Sequence, residues 1–318
     1  MFFGKVLIDD GGEEREMFFY SANEFYKQKF GGKVYKIALN GGMTCPNRDG
    51  TLSYDGCIFC SQNGSGDFTP QSTYSIDEQI HLAIAKVRNK IKEDKFIAYF
   101  QSFTNTYASV DYLENIFMTA IHNPKIVGVA IGTRPDCLGE DVLTLLNKLN
   151  HIKPVFIELG LQTIHESTAK YINRCYPLSV YDKAVNNLKK IHINVIVHMI
   201  IGLPYETKEM MYETVEYICQ SGADGIKLQL LHILENTRLA DEYRQGKFTV
   251  LSLQEYTEIV CHCIEIIPKD IVIHRITGDG DKKILIAPLW SGDKKKVLNT
   301  INTALREKNI IQESQSKN

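Results

Sequence analysis

The chain has no marked surplus of either charge sign, no apolar run long enough to span a bilayer, and no internal repeat or low-complexity linker. Its 36 Lys and Arg against 38 Asp and Glu give a formal net charge of −2, which excludes a protein that coats a polyanion over its whole surface. A membrane helix needs about 20 predominantly apolar residues. The most apolar stretch, residues 193–203, is broken by Asn194 and His198. Met-Phe-Phe at the start runs into Lys5, Asp9 and Asp10, so no signal-peptide core forms and the expected location is the cytoplasm, with no membrane partner. In that reducing compartment the eight cysteines are not expected to form a disulfide framework.

What is present is the composition of an ordinary globular protein: 318 residues, 44% hydrophobic and 23% charged. Six β-rich runs, at 34–39, 96–100, 126–131, 155–159, 194–200 and 225–230, alternate with helix-like segments at 75–91, 110–121, 140–149, 180–191 and 208–220. The runs lack strict alternation, as strands buried on both faces of a parallel sheet do. Ser75-Ile-Asp-Glu78 has the spacing of a capping box. Six βα units predict an α/β fold, a partial (β/α)6 TIM-like barrel that falls short of the eight units of a closed one. The expected division is an N-terminal extension over 1–30, a barrel core over 31–250 and a C-terminal extension over 251–318. That last part is read as a helix over 252–267 behind a second capping box, a strand at 271–276, a closing helix at 293–308 and a disordered tail over 313–318. From Asp281 onward eight Lys and Arg stand against four acids. Lys294–Lys296 reads first as a solvated helix start, although such a patch also suits phosphates.

A barrel binds ligands at the C-terminal ends of its strands, so the segments after the runs carry the information. After the first run comes Cys45-Pro-Asn-Arg-Asp-Gly, then Gly56-Cys57-Ile-Phe-Cys60, a C-x11-C-x2-C spacing. Glycines at 50 and 56 let the long spacer fold back, so three thiolates can converge on one inorganic centre. A structural zinc wants four protein ligands, and the next histidine is His81. Three cysteines suit a 4Fe-4S cluster with one iron left open. Cys261 and Cys263, two apart on a predicted helix, point to different faces and predict no second cluster. Glu158 lies inside a strand, where a buried carboxylate needs a partner, so it is expected to face the barrel interior. His198, alone in an apolar strand, reads first as a satisfied core residue.

The cysteine motif, with Phe59 as the aromatic before its last cysteine, resembles that of radical SAM proteins with an expanded first spacer, the Elongator catalytic-subunit-like branch. Residues 40–50, Phe100-Gln-Ser-Phe-Thr-Asn-Thr-Tyr107, Gly132-Thr-Arg-Pro-Asp136, Glu158-Leu-Gly-Leu-Gln162 and Arg275-Ile-Thr-Gly-Asp279 extend the resemblance to the YtqA/YhcC group of that superfamily, over about 33–301.

The resemblance implies that Cys45, Cys57 and Cys60 hold the cluster and that its open iron binds S-adenosylmethionine (SAM). Cleavage of SAM then yields a 5′-deoxyadenosyl radical. It implies SAM-binding roles for Phe59, Gln101, Ser102, Thr133, Glu158, Gln162 and Arg174, with Arg174 pairing the SAM carboxylate. Gly202 and Pro204 match a G-x-P-x-E turn near the adenine. At His198 related enzymes carry an acid for the ribose, so the sequence departs from the pattern there. Arg134, Asp136, Gln229, His232 and Arg275, with Asp279, are candidate substrate contacts, and no acid or base is assigned. The implied partners are tRNA and a reductant such as flavodoxin or ferredoxin. The implied reaction converts 5-carboxymethylaminomethyluridine at the wobble position to 5-aminomethyluridine. Two alternatives are a radical SAM reaction on a small molecule or protein, and a non-catalytic zinc-dependent RNA-binding module.

Overall fold

Successive side chains on the central strands go to opposite sides of one sheet, and that division organises the molecule. The computed structural model describes residues 8–9, 14–15, 17–64, 69–88, 91, 93–278 and 280–314. Ile8–Asp9 (β1) pairs antiparallel with Glu14–Arg15 (β2). Helix Ala22–Phe30 (α1) is capped by the Ser21 hydroxyl and stopped by Gly31 in the left-handed region. Then β strands and helices alternate: Tyr35–Leu39 (β3), Ile76–Val87 (α2), Phe96–Phe100 (β4), Val110–His122 (α3), Ile126–Thr133 (β5), Glu140–Asn150 (α4), Val155–Gln162 (β6). Glu166–Tyr171 (α5) and Leu178–Lys190 (α6) lead to Asn194–Ile201 (β7), Lys208–Gln220 (α7) and Gly225–Leu230 (β8). Ile233–Leu234 (β9), Arg238–Arg244 (α8), Leu253–Ile266 (α9), Val272–Arg275 (β10), Leu285–Ala287 (β11) and Lys294–Glu307 (α10) complete the order. Both predicted capping boxes form, Ser75 with Glu78 and Ser252 with Glu255.

The main sheet has seven parallel strands in the order β3-β4-β5-β6-β7-β8-β10. Its two edges do not pair with each other, so the sheet is an open half-barrel, the partial TIM-like α/β fold expected from the sequence. The strand predicted at 271–276 joins this sheet as its seventh member. Within the segment read as an N-terminal extension, α1 packs into the barrel. Tyr26 sits against Ile97, Ala130, Phe156 and Ile196 on the concave face, with Phe25 and Phe30 beside it. On the convex face Val129, Ile131, Val155, Ile157, Leu159, Val195 and Val197 pack beneath the helices in the main core. Along β6, therefore, Phe156 points in, Ile157 out, Glu158 in and Leu159 out.

Helix α2 ends at Val87, short of the predicted 91; residues 89, 90 and 92 lie outside the described set, as do 315–318 of the predicted tail. Cys261 and Cys263 are both buried in the packing of α9. Among the described residues no helix is long and apolar enough to cross a membrane.

Candidate active site

The loop after β3 is built around two side chains, Asn47 and Arg48. Asn47 is fully buried. Its side-chain amide donates to the Asn173 main-chain carbonyl at 2.6 Å and to Cys57 Sγ at 3.6 Å, while its main-chain carbonyl accepts from Gly56 N at 2.7 Å. The Arg48 guanidinium gathers the far end of the loop, bonding the carbonyls of Cys60 (2.9 Å) and Ser61 (2.6 Å). Gly56 takes φ 72°, and a Cβ there would lie 2.8 Å from Arg48 Nε, so this position requires glycine on both counts. The eleven-residue spacer is thus a folded lid whose pivot is Asn47, with Asn173 Nδ2 bonding the Gly56 carbonyl at 2.7 Å from the other side.

Cys45, Cys57 and Cys60 all line one cavity of about 370 Å³ at the C-terminal ends of the strands. Burial, then the neighbouring Cys60 thiol, push Cys57 up to about 12, with Arg134 opposing and Cys45 adding to the rise. The three cysteines are half-buried; beside one another their thiolates are costly unless a cation stands near, and an amide already points at one sulfur. This donor set fits a cationic iron–sulfur centre.

The cavity's inner wall is an ionic layer on the concave face, one step above the aromatic plug of α1. Glu158 is fully buried. Its Oε1 takes Lys36 Nζ at 2.5 Å. Its Oε2 takes Lys227 Nζ and His198 Nε2, the latter at 2.8 Å. The Tyr99 ring lies 4.8 Å from Lys36 Nζ and 5.0 Å from Lys227 Nζ. Burial alone would raise the Glu158 carboxyl, but Lys227 and Lys36 outweigh it and hold the group well below the carboxylate range. Burial, then Lys227, push His198 down to about 4. His198 is therefore neutral at pH 7, with Nε2–H donating to Glu158 and Nδ1 accepting from the Gln229 amide at 2.9 Å. Burial lowers Lys227 to about 7 against the upward pull of Glu158, whereas for Lys36 the pull of Glu158 prevails and raises it.

Phe59, Gln101, Thr133, Arg134, Glu158 and Gln162 line this cavity with the cysteines, and Arg174, His198, Gln229, His232 and Arg275 do so too. Ser102, Asp136, Gly202 and Pro204 are not among the residues that line it. Ser102 shares a hydrogen bond with Thr69 at 3.0 Å, and Asp136 grips Arg134 through two bonds of 2.9 and 2.7 Å. Gly202 turns with φ 88° against Leu251. Asp279 lies outside the described residues.

Arg174 departs from expectation. Its Nη1 bonds the carbonyls of Leu161 (3.2 Å) and Thr163 (2.5 Å), its Nε bonds that of Tyr176 (3.1 Å), and its Nη2 faces Glu166 at 3.4 Å. The fork expected to pair a ligand carboxylate closes the β6–α5 turn in this structure, while its residue also lines the cavity. Sequence reasoning missed Lys36, Lys227, Tyr99, Asn47 and Tyr176. The two lysines had a readable signal, since each is a charge inside an apolar strand, the same ground on which Glu158 stood out.

The profile of the radical SAM superfamily matches residues 44–218, and that of the radical SAM C-terminal domain matches residues 223–307. The protein YtqA of Bacillus subtilis (strain 168) is 44% identical over 294 residues, covering 92% of this chain and 91% of that protein. A tRNA uridine(34) acetyltransferase of Methanocaldococcus jannaschii is 27% identical over 207 residues, 64% of this chain and 37% of that protein. Among solved structures, the archaeal Methanocaldococcus infernus Elp3 superposes with a TM-score of 0.68 at 19% identity, over 88% of this chain and 64% of the other, a likeness of fold.

Proposed function

The chain belongs to the radical SAM superfamily, and from that premise we propose that it modifies the wobble uridine of tRNA, converting the 5-carboxymethylaminomethyl side chain to 5-aminomethyl. The superfamily implies a 4Fe-4S cluster and SAM. In this reading Cys45, Cys57 and Cys60 hold the cluster. Once bound, the pair supplies a 5′-deoxyadenosyl radical that takes a hydrogen atom from the substrate. The observation that carries the reading is that the three cysteines and the ionic layer on the concave face share one cavity.

The chain's own residues set the geometry. Asn47 and Arg48 fix the cysteine loop, and the Asn47 amide donates toward Cys57. Phe59, Gln101, Thr133 and Gln162 form the part of the wall assigned to SAM, and Ser102, Gly202 and Pro204 are not part of that lining. Arg134, held flat by Asp136 and stacked 5.1 Å over Tyr176, sets a fixed cation beside the thiols. Half-buried side chains around the cavity keep water from the radical.

The substrate's glycyl Cα–H is the chemical target, because the adjacent nitrogen stabilises a radical there. The net change balances without an added oxidant. The two electrons lost by the N–CH2 unit would equal those taken up in reductive cleavage of the sulfonium C–S bond of SAM, with one hydrogen atom passing to the adenosyl carbon and the remaining proton to water. Water supplies the oxygen of the departing two-carbon aldehyde acid, and the C–N bond becomes N–H. The tRNA assignment draws on the relative named for uridine-34 chemistry.

The test is anaerobic reconstitution with iron and sulfide, reduction, addition of SAM, and measurement of 5′-deoxyadenosine alongside tRNA nucleosides. Wild type should release 5′-deoxyadenosine and aminomethyluridine from tRNA of a deletion strain, and Cys57→Ala should release neither. Release of 5′-deoxyadenosine with tRNA unchanged would shift the substrate to a small molecule or protein. Colourless protein that holds zinc and leaves SAM intact would return the binding-module reading.

A further inference from the structure

Two ammonium groups share one carboxylate on the concave face. Glu158 receives Lys36 on one oxygen and Lys227 on the other, and its third partner, His198, is neutral at pH 7. A buried cation without its own counterion is costly. The burden falls on Lys227, whose side chain is 6% exposed, while that of Lys36 is 25% exposed. Lys227 is the one of the two that lines the cavity, and Arg275 stands on the same wall. Burial, with Lys36 and Arg275 nearby, keeps Lys227 easy to deprotonate despite Glu158.

The wall also leaves room. Two residues on from Lys36, Ala130 and Glu158, the inward positions are Ala38, Gly132 and Gly160, and all three line the cavity. A Cβ on Gly160 would lie 2.9 Å from Gln162 Nε2, and one on Gly132 would lie 3.3 Å from the Phe100 carbonyl. Neither glycine adds a side chain of its own above the ionic layer, so the cavity is continuous there from Lys227 past Gln162 to the three thiols.

We propose that Lys227, assisted by Arg275, receives a carboxylate of the substrate in this space, namely the carboxymethyl end of the modified uridine. The inference rests on the tRNA reading above for the identity of that carboxylate. An incoming carboxylate gives each lysine a counterion of its own. It also places the adjacent CH2 in the cavity that the cysteines face. The product, which has lost the carboxylate and kept a protonated amine, meets an unbalanced ammonium and leaves. One wall therefore selects the substrate and rejects the product. The methionine carboxylate of SAM has the same chemistry, so the two sources must be told apart.

The experiment uses the reconstituted, SAM-loaded protein without reductant, so nothing turns over. Binding of 5-carboxymethylaminomethyluridine and of 5-aminomethyluridine is measured by calorimetry at pH 7, with SAM affinity measured separately. Wild type should favour the carboxylate nucleoside. Lys227→Met should lose about ten- to a hundredfold of that preference, the worth of a charge-assisted hydrogen bond. Arg275→Gln, at a half-buried position, should lose less, and it serves as the second variant if Lys227→Met does not fold by circular dichroism. Equal binding of both nucleosides, binding of neither, or an undiminished preference in both variants would overturn the proposal. A fall in SAM affinity alone would also overturn it, because the carboxylate would then be that of methionine. Turnover of deletion-strain tRNA by the same preparation separates the two claims. Preference for the carboxylate with tRNA untouched sinks the tRNA reading and leaves the subsite standing; tRNA modified with no preference does the reverse.

Discussion

The convex and concave faces of the same seven strands obey different rules. On the convex face each inward step of packing is apolar: Val129, Ile131, Ile157, Leu159, Val195 and Val197 are fully buried under helices. On the concave face, one residue along, stand Lys36, Tyr99, Glu158, His198, Lys227 and Gln229, tied to each other by charge and hydrogen bonds. A single strand thus serves two ends, holding the fold with one alternate set of positions and shaping the site with the other. The convex face is close-packed and tolerates little change in volume. The concave face is held by a few ionic contacts, and its glycines keep space open.

The contrast breaks most visibly when packing is cut. Phe117 of α3 packs against Phe100 of β4 with ring centres 5.0 Å apart. Phe117→Ala should lower stability by about 3–5 kcal/mol in urea unfolding, while 5′-deoxyadenosine released per folded molecule stays the same. A parallel loss of specific activity would mean that the two faces are not separable. Glu158→Gln tests the other face. It leaves two buried ammonium groups without their counterion and should destabilise by about 3 kcal/mol, at the low end for such pairs because Lys227 readily sheds its proton. Here activity should fall far more than stability accounts for, and a variant that is merely less stable would refute a role for the layer in the reaction.

The smallest effect is in the acid limb of stability. His198 in the folded chain is lowered to about 4 from an ordinary 6.5. The unfolded chain therefore takes up the proton first, and stability declines as pH falls from 6.5 toward 4. Glu158, whose carboxyl is also lowered in the folded state, adds its loss in the same direction at still lower pH. His198→Asn should flatten the decline between pH 6.5 and 4 by about 2 kcal/mol, read from melting curves across that range. An unchanged slope would show that the imidazole is not held neutral by its neighbours.

How far the sequence disclosed all this also divides by face. The convex residues make the strands visible, and all seven sheet strands fall within one or two residues of prediction at their starts. Their ends were read short, at 131 for β5 and 159 for β6, because Gly132–Thr133 and Gly160–Gln162 carry the site rather than the core. Helices α5 and α8, of six and seven residues, are too short for a periodic signal. Helix α1 was hidden in a segment read as an extension, since its aromatic stripe is short and interrupted by lysines. In the site, the cysteine spacing was legible because thiols in that pattern have few other uses. For Arg174 the sequence could not show its bonds to the carbonyls of Leu161, Thr163 and Tyr176, because those depend on which backbone groups the fold brings within reach of the guanidinium. Lys36 and Lys227 were legible as charges inside apolar strands, YKIAL and GIKLQL, but their convergence on one carboxylate depends on strand register across the sheet, which no single strand shows.

One stitch near the base of the barrel bears on the order in which the molecule assembles. The Gln312 side chain accepts from Tyr20 N, 292 positions away, and donates to the carbonyls of Pro268 and Ile271. Ile273 N bonds the Tyr20 carbonyl beside it. Helix α1 lies near residue 25, whereas β10 and the glutamine that fasten it lie beyond residue 270. Fastening the helix at this stitch therefore closes a loop of 292 residues, a contact whose closure entropy weighs against early formation.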